Sequence, residues 1–553
     1  MNMETPAGKL DPRVRRFVTP KRIVWQNQGA DAPQNATMLL KEDDGQALLS
    51  LDRPCVLENT GDGAPGLLLD FGVELNGGVQ IVTCRSGDAM PVTVRVRFGE
   101  SASEAMGITN NDHAMHDQVV RLPIMGNHEV GSTGFRFVRI DLVQENARIE
   151  IKSIRAVFLY RELEYHGSFA CSDERLSRIW AVGARTVHLC MQDFLWDGIK
   201  RDRLVWIGDM HPETAVIASL FGAHPIVPAS LDMVRDTTPL PQWMNGISSY
   251  SIWWVLIHEY WYAYQGDLDY LRRQRTYLLG VLDLLQSRIG PDGAEALDGM
   301  RFLDWPSQAN PSAVHAGLQS LMVLAMDAGA RLCEVLGESD AALRCADAAA
   351  RLRRHVPQAG MSKQANALLA LSGLADAAET NRRVLANEPL SKLSTFYGYY
   401  VLQARARAGD YDGCLEVIRK YWGAMLDLGA TSFWEDFSLD WTAGAAGIED
   451  LVPPGMKDIH GDFGDYCYKG FRHSLCHGWA AGPTAWLSEH VLGVRPTQPG
   501  FAEVAIRPHL GGLEWAEGTF PTPRGLICVS HKRRGDGTID SRIDAPAGVK
   551  VVR

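Results

Sequence analysis

A chain of 553 residues is too long for one ordinary core, so two to four domains are expected. Its 46% hydrophobic and 22% charged residues are those of a soluble globular protein. Fifty-five basic against 66 acidic residues give a net charge of −11, which excludes a phosphate-tracking basic face and makes nucleic acid an unsuitable partner.

No apolar stretch approaches a membrane span, and Met1-Asn2-Met3-Glu4-Thr5-Pro6 lacks the basic-then-apolar layout of a secretory signal. The ten cysteines form no CxxC pair and mostly sit in apolar patterns, as Cys190, Cys333 and Cys414 do. Buried free thiols in a reducing compartment fit this better than disulfides or zinc, so a cytoplasmic protein is expected.

Residues 1–165 read as β. Val92 to Phe98 alternates apolar and polar, as a half-buried antiparallel strand requires, and Ile149-Glu150-Ile151 does the same. Turn signals are read at Thr60-Gly61-Asp62-Gly63, Asn76-Gly77-Gly78 and Ser86-Gly87-Asp88. Short strands with frequent turns predict a β-sandwich. Near residue 170 the period changes. Ser172 is the expected N-cap of a helix carrying Leu176, Ile179, Gly183, Val187 and Cys190, with Asp173 and Glu174 in its first turn. One stripe, Leu318, Leu321, Met322, Ala325, Ala328 and Leu332, is stopped at Gly337; Cys414, Ile418, Tyr421 and Met425 form another. Pro483 opens a last helix that Gly493 closes. Residues 166–495 have room for about twelve helices at roughly 25 residues each. After Pro496 the pattern returns to β, with strands expected at Phe501–Ile506 and Gly525–Ser530.

The chemistry concentrates in Trp196-Asp197-Gly198-Ile199-Lys200-Arg201-Asp202-Arg203-Leu204-Val205-Trp206-Ile207-Gly208-Asp209. Asp202 and Asp209 are seven apart, so a helix covering both would set them on one face. Like charges held together beside apolar rings push carboxyl groups apart in proton affinity, the usual way to obtain one acid and one base. Tryptophan faces suit the C–H faces of a sugar ring. The alternative reading is a helix start in which Arg201 and Arg203 merely neutralise acids. Further acid- and tryptophan-rich loops are read at Pro241–Trp254, Phe302-Leu303-Asp304-Trp305, Gly429–Asp436, His460-Gly461-Asp462 and Cys476-His477-Gly478-Trp479. Each alone suits core packing; their recurrence favours a shared cavity. His460 with Asp462 and Asp465 has no recognised metal spacing and reads as a polar loop, so neither metal nor cofactor is expected. No phosphate loop, dinucleotide fingerprint or nucleophile elbow occurs.

Asp197-x-x-x-Arg201-Asp202-Arg203-x-x-Trp206-x-Gly208-Asp209 resembles the signature of the α-L-rhamnosidases of glycoside hydrolase family 78, Asp-Cys-Pro-x-Arg-Glu-Arg-x-Gly-Trp-x-Gly-Asp. Gly429-Ala430-Thr431-Ser432-Phe433-Trp434-Glu435 resembles its second acidic motif. Ser474-Leu475-Cys476-His477 resembles its Ser-Leu-Asn-His segment, and Trp486 to Phe501 its exit from the barrel. Asp70-Phe71-Gly72 extends the likeness into the first β-domain. The departures are Asp202 where Glu is usual, Gly198-Ile199 for Cys-Pro, and Val205 for Gly.

The resemblance implies a multidomain α and β protein: an (α/α)6 barrel (166–495) between an N-terminal β-sandwich (1–165) and a small C-terminal β-sandwich (496–553). It implies an inverting hydrolase releasing terminal α-L-rhamnose from rhamnosides, with Asp202 as general acid and Glu435 as general base. Asp197, Arg201, Asp209 and His477 would bind the sugar, between walls of Trp206, Trp253 and Trp305, with Trp254 the alternative to Trp253. The alternatives are a rhamnose-binding protein that turns nothing over, and an (α/α)6 glycosidase for another terminal deoxy-hexose or uronide. The expected partner is a carbohydrate, with no nucleic acid and no membrane; the oligomeric state is open, a homodimer included.

Overall fold

The structure, a computed structural model, describes residues 10–552 apart from 62, 85–90, 108–113 and 115. The expected Ser86-Gly87-Asp88 turn lies outside the described residues, as does Asp62 of the Thr60–Gly63 turn.

The first β-domain holds strands Val14–Val18, Arg22–Gln26, Cys55–Asn59, Gly66–Thr83, Val92–Gly99, Asp117–Leu122, Asn127–Leu142 and Ala147–Tyr160, paired antiparallel throughout. Alternation does what the pattern required: Val92, Val94 and Val96 face the core while Thr93 and Arg95 are half-buried. Asn76-Gly77-Gly78, read as a turn, instead lies inside the 18-residue strand Gly66–Thr83. A Cβ on Gly77 would come within 2.0 Å of the Val157 carbonyl oxygen, and one on Gly78 within 2.4 Å of that of Gly131. The glycines therefore allow close strand approach at a register shift rather than chain reversal.

In the helical body, Ile207–Phe221, Ser248–Gln265, Pro311–Leu336, Lys363–Ser372, Gly398–Arg407 and Gly482–Trp486 touch one another in that order, and the last returns to the first. Glu174–Cys190, Ile226–Thr237, Leu268–Gln286, Ser339–Leu352 and Tyr411–Val417 pack against these. Sequence sets the difference. Ile207–Phe221 is buried nearly all round, as a helix without a polar face must be. Ser339–Leu352 buries only the face of Ala341, Ala342, Cys345, Ala348, Ala349 and Leu352.

The expected stops hold: Gly337 takes φ 77° and its N–H caps the Pro311–Leu336 helix. One cap differs. Asp173, not Ser172, caps Glu174–Cys190, its carboxylate accepting from the Arg175 and Leu176 N–H groups at 2.9 and 3.3 Å. Ser172 Oγ accepts from Glu514 N (2.9 Å), a contact to the C-terminal domain that local pattern cannot carry.

After Val491 the chain forms two small sheets. One joins Val494–Pro496, Glu503–Ile506 and Lys550–Val552; the other joins Ile539–Asp544, Gly525–Arg533 and Trp515–Thr522 with Ser168–Cys171, which lies ahead of the helices. All ten cysteines are free. Among the described residues no helix is long and apolar enough to cross a membrane.

Candidate active site

The signature does not run as a helix. Asp197 closes it into a loop: its N–H donates to the Leu204 carbonyl (3.0 Å) and its Oδ1 accepts from Leu204 N (2.9 Å). Within the loop Asp202 and Arg203 both take φ 55°. Left-handed backbone strains most side chains, and the short polar Asp202 tolerates it better than most. Only Asp209 reaches the helix Ile207–Phe221, so Asp202 and Asp209 do not share a helix face. Ile199 sinks fully into the core of the first β-domain and its carbonyl accepts from Gly134 N (2.8 Å). A Cβ on Gly198 would lie 3.0 Å from the Cys476 carbonyl oxygen. Gly198-Ile199 thus fits a tight crossing followed by an apolar anchor.

Asp197, Arg201, Asp202, Trp206, Asp209, Trp305, Glu435 and His477 line one cavity of about 320 Å³. Arg201 lies between two acids, Nη1 3.4 Å from Asp202 Oδ1 and Nη2 2.5 Å from Glu435 Oε2. Guanidinium nitrogens are about 2.3 Å apart, so these two oxygens lie no more than about 8 Å from each other. Glu435 is buried and held firmly. Ser474 N donates to its Oε2 (3.2 Å), while its carbonyl accepts from Thr395 Oγ1 (2.5 Å) and Trp479 Nε1 (2.8 Å). His477 Nε2 stands 3.4 Å from Glu435 Oε1 and 3.7 Å from Asp197 Oδ2, and its Nδ1 3.8 Å from Asp209 Oδ1. Asp202 is the acid most open to solvent, with 28% of its side chain exposed against 4% for Glu435.

Burial sets the proton affinities. It raises Asp197, aided by Asp209, and raises Asp209, aided by Glu435. It also raises Glu435, with Arg201 pulling the other way. His477 is pushed down by burial and by Arg201, which keeps the imidazole neutral.

Trp253 is not in this cavity. Pro241–Trp254 was read as one loop, but Ser248–Gln265 is a helix. Tyr250 occupies the cavity wall, its hydroxyl donating to Asp209 Oδ2 (3.3 Å), while Trp253 lies one turn deeper, stacked on Tyr400 at 4.9 Å. Trp254 is fully buried in the core and is no substitute. The structure adds Tyr250, Phe302, Tyr468, Arg472 and Trp479 to the walls. Trp479 had a signal, two residues after His477. Tyr468 and Arg472 had none, because they lie in irregular chain and come to the site through Arg201, whose guanidinium sits 5.5 Å over the Tyr468 ring and donates to the Arg472 carbonyl (2.8 Å).

The first β-domain reaches into this machinery. Glu100 Oε2 accepts from Leu475 N (2.6 Å) and its Oε1 from Ser474 Oγ (3.3 Å), beside the amide that holds Glu435. Glu100, Glu104 and His460 could together hold a metal ion. The Lys200 ammonium already stands among them, 2.7 Å from Glu104 and 3.6 Å from Glu100. His460 uses both ring nitrogens, on Ser101 Oγ (2.8 Å) and the His473 carbonyl (2.9 Å), and does not gather Asp462 and Asp465 around it. Arg136, itself buried, joins Asp70 (2.8 Å) to Glu449 (2.7 Å) and donates to the Gly429 carbonyl (3.1 Å) at the head of the Glu435 loop. Arg136→Met is expected to cost about 3–5 kcal/mol by leaving buried Asp70 half-paired, seen as a thermal midpoint lowered by several degrees. An unchanged midpoint would reduce the bridge to decoration.

Residues 164–377 match the family model of the bacterial α-L-rhamnosidase six-hairpin glycosidase domain, and residues 493–552 that of the bacterial α-L-rhamnosidase C-terminal domain. Both matches are to α-L-rhamnosidase domains, and they support an α-L-rhamnosidase. Among curated rhamnosidases, the α-L-rhamnosidase of Alteromonas sp. (strain LOR) is 31% identical over 132 residues, 23% of this chain and 12% of that protein. Among solved structures, the GH78 family rhamnosidase of Bacillus sp. GL1 superposes with a TM-score of 0.74 at 24% identity over 93% of this chain and 55% of its own. The Klebsiella oxytoca rhamnosidase with rhamnose bound gives 0.68 at 20% identity, covering 86% and 96%. The Streptomyces avermitilis α-L-rhamnosidase complexed with L-rhamnose gives 0.67 at 18%, covering 90% and 50%. The rhamnosidase fold is thus shared along most of this chain, while the chain spans about half the length of two of these three structures.

Proposed function

We propose that this protein is an inverting glycoside hydrolase releasing terminal α-L-rhamnose, with 166–495 closed as an (α/α)6 barrel between β-sandwich domains 1–165 and 496–553. Relatives described as rhamnosidases, two of them solved with rhamnose bound, support the substrate class. One observation carries the mechanism: Asp202 and Glu435, 233 residues apart in sequence, flank Arg201 across a tryptophan-walled cavity. The upper limit of about 8 Å on their separation is compatible with the roughly 6.5–9.5 Å that leaves room for a water between acid and base. Asp202, the more open acid, protonates the departing oxygen. Glu435 takes the proton of a water attacking the opposite ring face. Asp197, Asp209 and His477 hold sugar hydroxyls, and Trp206, Trp305 and Trp479 cover the C–H faces.

The decisive experiment is proton NMR of an aryl α-L-rhamnoside during early turnover. β-L-Rhamnose as first product supports the reading; the α-anomer first would refute inversion, and binding of rhamnose without any product would favour a lectin-like protein.

Arg201 has a separable part in this scheme. A general base works only when ionised, so activity is lost as pH falls through its pKa. Burial raises Glu435 and Arg201 opposes that rise. Arg201→Gln is therefore expected to move the acid limb of kcat/KM upward by about 1–2 pH units. A limb that stays put, or moves down, would remove Arg201 from this role.

A further inference from the structure

Glu435 and Ser474 are joined twice. Glu435 N donates to the Ser474 carbonyl (3.0 Å), and Ser474 N donates to Glu435 Oε2 (3.2 Å). The aim of that second N–H depends on how Ser474 itself is held. Glu100 holds it at two points: Oε2 accepts from Leu475 N (2.6 Å) and Oε1 from Ser474 Oγ (3.3 Å). One bond fixes the peptide after Ser474 and the other its side chain. Glu100 is fully buried, so solvent does not compete for either bond.

Glu100 is fixed in turn by its own domain. It follows the strand Val92–Gly99 and precedes the one-turn helix Ala102–Met106. Ser101 Oγ accepts from Glu104 N (3.1 Å), and Glu104 Oε2 accepts from Glu100 N (2.7 Å). That reciprocal cap leaves the Glu100 backbone little freedom. The Lys200 ammonium lies 2.7 Å from Glu104 and 3.6 Å from Glu100, and donates to the carbonyls of Phe471 and His473. The next residue, Arg201, holds the Arg472 carbonyl and Glu435 itself. The chain is thus pinned by Lys200 and Arg201 at 471–473 and by Glu100 at 474–475.

We propose that Glu100 is a positioning residue for Glu435, acting through Ser474, so that the first β-domain sets the aim of the base. The proposal rests on Glu435 being the base. It asks reach of Glu100 rather than charge, since Glu104 already pairs with Lys200 at 2.7 Å. Aim matters steeply: a displacement of about 1 Å can cost a hundredfold in rate.

Two exchanges separate reach from charge. Glu100→Asp keeps a carboxylate beside Lys200 but withdraws it from Leu475 N by about 1.5 Å, one carbon–carbon bond. Glu100→Gln keeps the length. Its amide oxygen can accept from Leu475 N and its amide nitrogen donate to Ser474 Oγ, whose own proton can turn to the Cys476 carbonyl (3.2 Å). On an aryl α-L-rhamnoside, Glu100→Asp is expected to lower kcat about tenfold or more. KM should stay within about twofold, because Asp197, Asp209 and His477 are not exchanged. Glu100→Gln should recover most of that loss. In a Glu435→Gln background, Glu100→Asp should cost less than about threefold further, since no base is left to aim. Ser474→Ala, which removes one of the two bonds and keeps the backbone, gives a second test should Glu100→Asp not fold. It should lose about threefold, and nothing further in the Glu435→Gln background. A kcat near that of the parent in Glu100→Asp, a loss in Glu100→Gln as large as in Glu100→Asp, or the same loss in both backgrounds would each overturn the proposal and leave Glu435 as the base. Glu435→Gln within tenfold of the parent would instead bring down the base reading, and the proposal with it.

Discussion

Replacing Glu435 by Gln is expected to lower kcat by at least a hundredfold on every rhamnoside, whatever the leaving group. The base is the group that makes water a nucleophile, and positioned proton transfer contributes about 10²–10⁴ in rate. Gln keeps the shape and can still pair with Ser474 N, but it cannot accept a proton and it releases Arg201 from a short ion pair. Steady-state kinetics on an aryl rhamnoside and on a rhamnose-containing disaccharide measures this. A loss under tenfold would remove Glu435 from the base position.

Asp202→Asn is expected to behave differently, and the difference is diagnostic. A general acid matters in proportion to how badly the departing oxygen needs a proton. On the disaccharide the loss should reach at least a hundredfold; on an aryl rhamnoside with a strongly acidic phenol it should shrink to about tenfold or less. Because Asn tolerates left-handed backbone as Asp does, the φ 55° at this position should survive the exchange, and folding with it. Equal losses on both substrates would mean that Asp202 binds rather than protonates.

Much of this arrangement was legible beforehand, and the failures have physical causes. The likeness of Asp197–Asp209 and Gly429–Glu435 to family 78 motifs, rather than spacing alone, picked out acids that line one cavity. Gly337 marked a helix stop because only a residue free to take positive φ ends a helix that way. Trp253 was misplaced because aromatic content says nothing of depth: one helical turn separates a cavity wall at Tyr250 from a stack on Tyr400. Asn76-Gly77-Gly78 looked like a turn because a turn and a tight strand crossing make the same demand for missing side chains. Glu100 was invisible altogether. Its partner amide, Leu475, lies 375 residues away, and no local pattern encodes a contact of that span.

The strand Ser168–Cys171 pairs along Trp515–Thr522, so the segment that leads into the helices is clamped by the last part of the chain. Shortening the protein at residue 495 would strip a neighbour from that segment and leave bare amides and carbonyls pointing at solvent, an invitation to intermolecular strand pairing. Trimmed versions meant to isolate the helical body are therefore better made by keeping the tail and rejoining it to the start of that segment than by deletion.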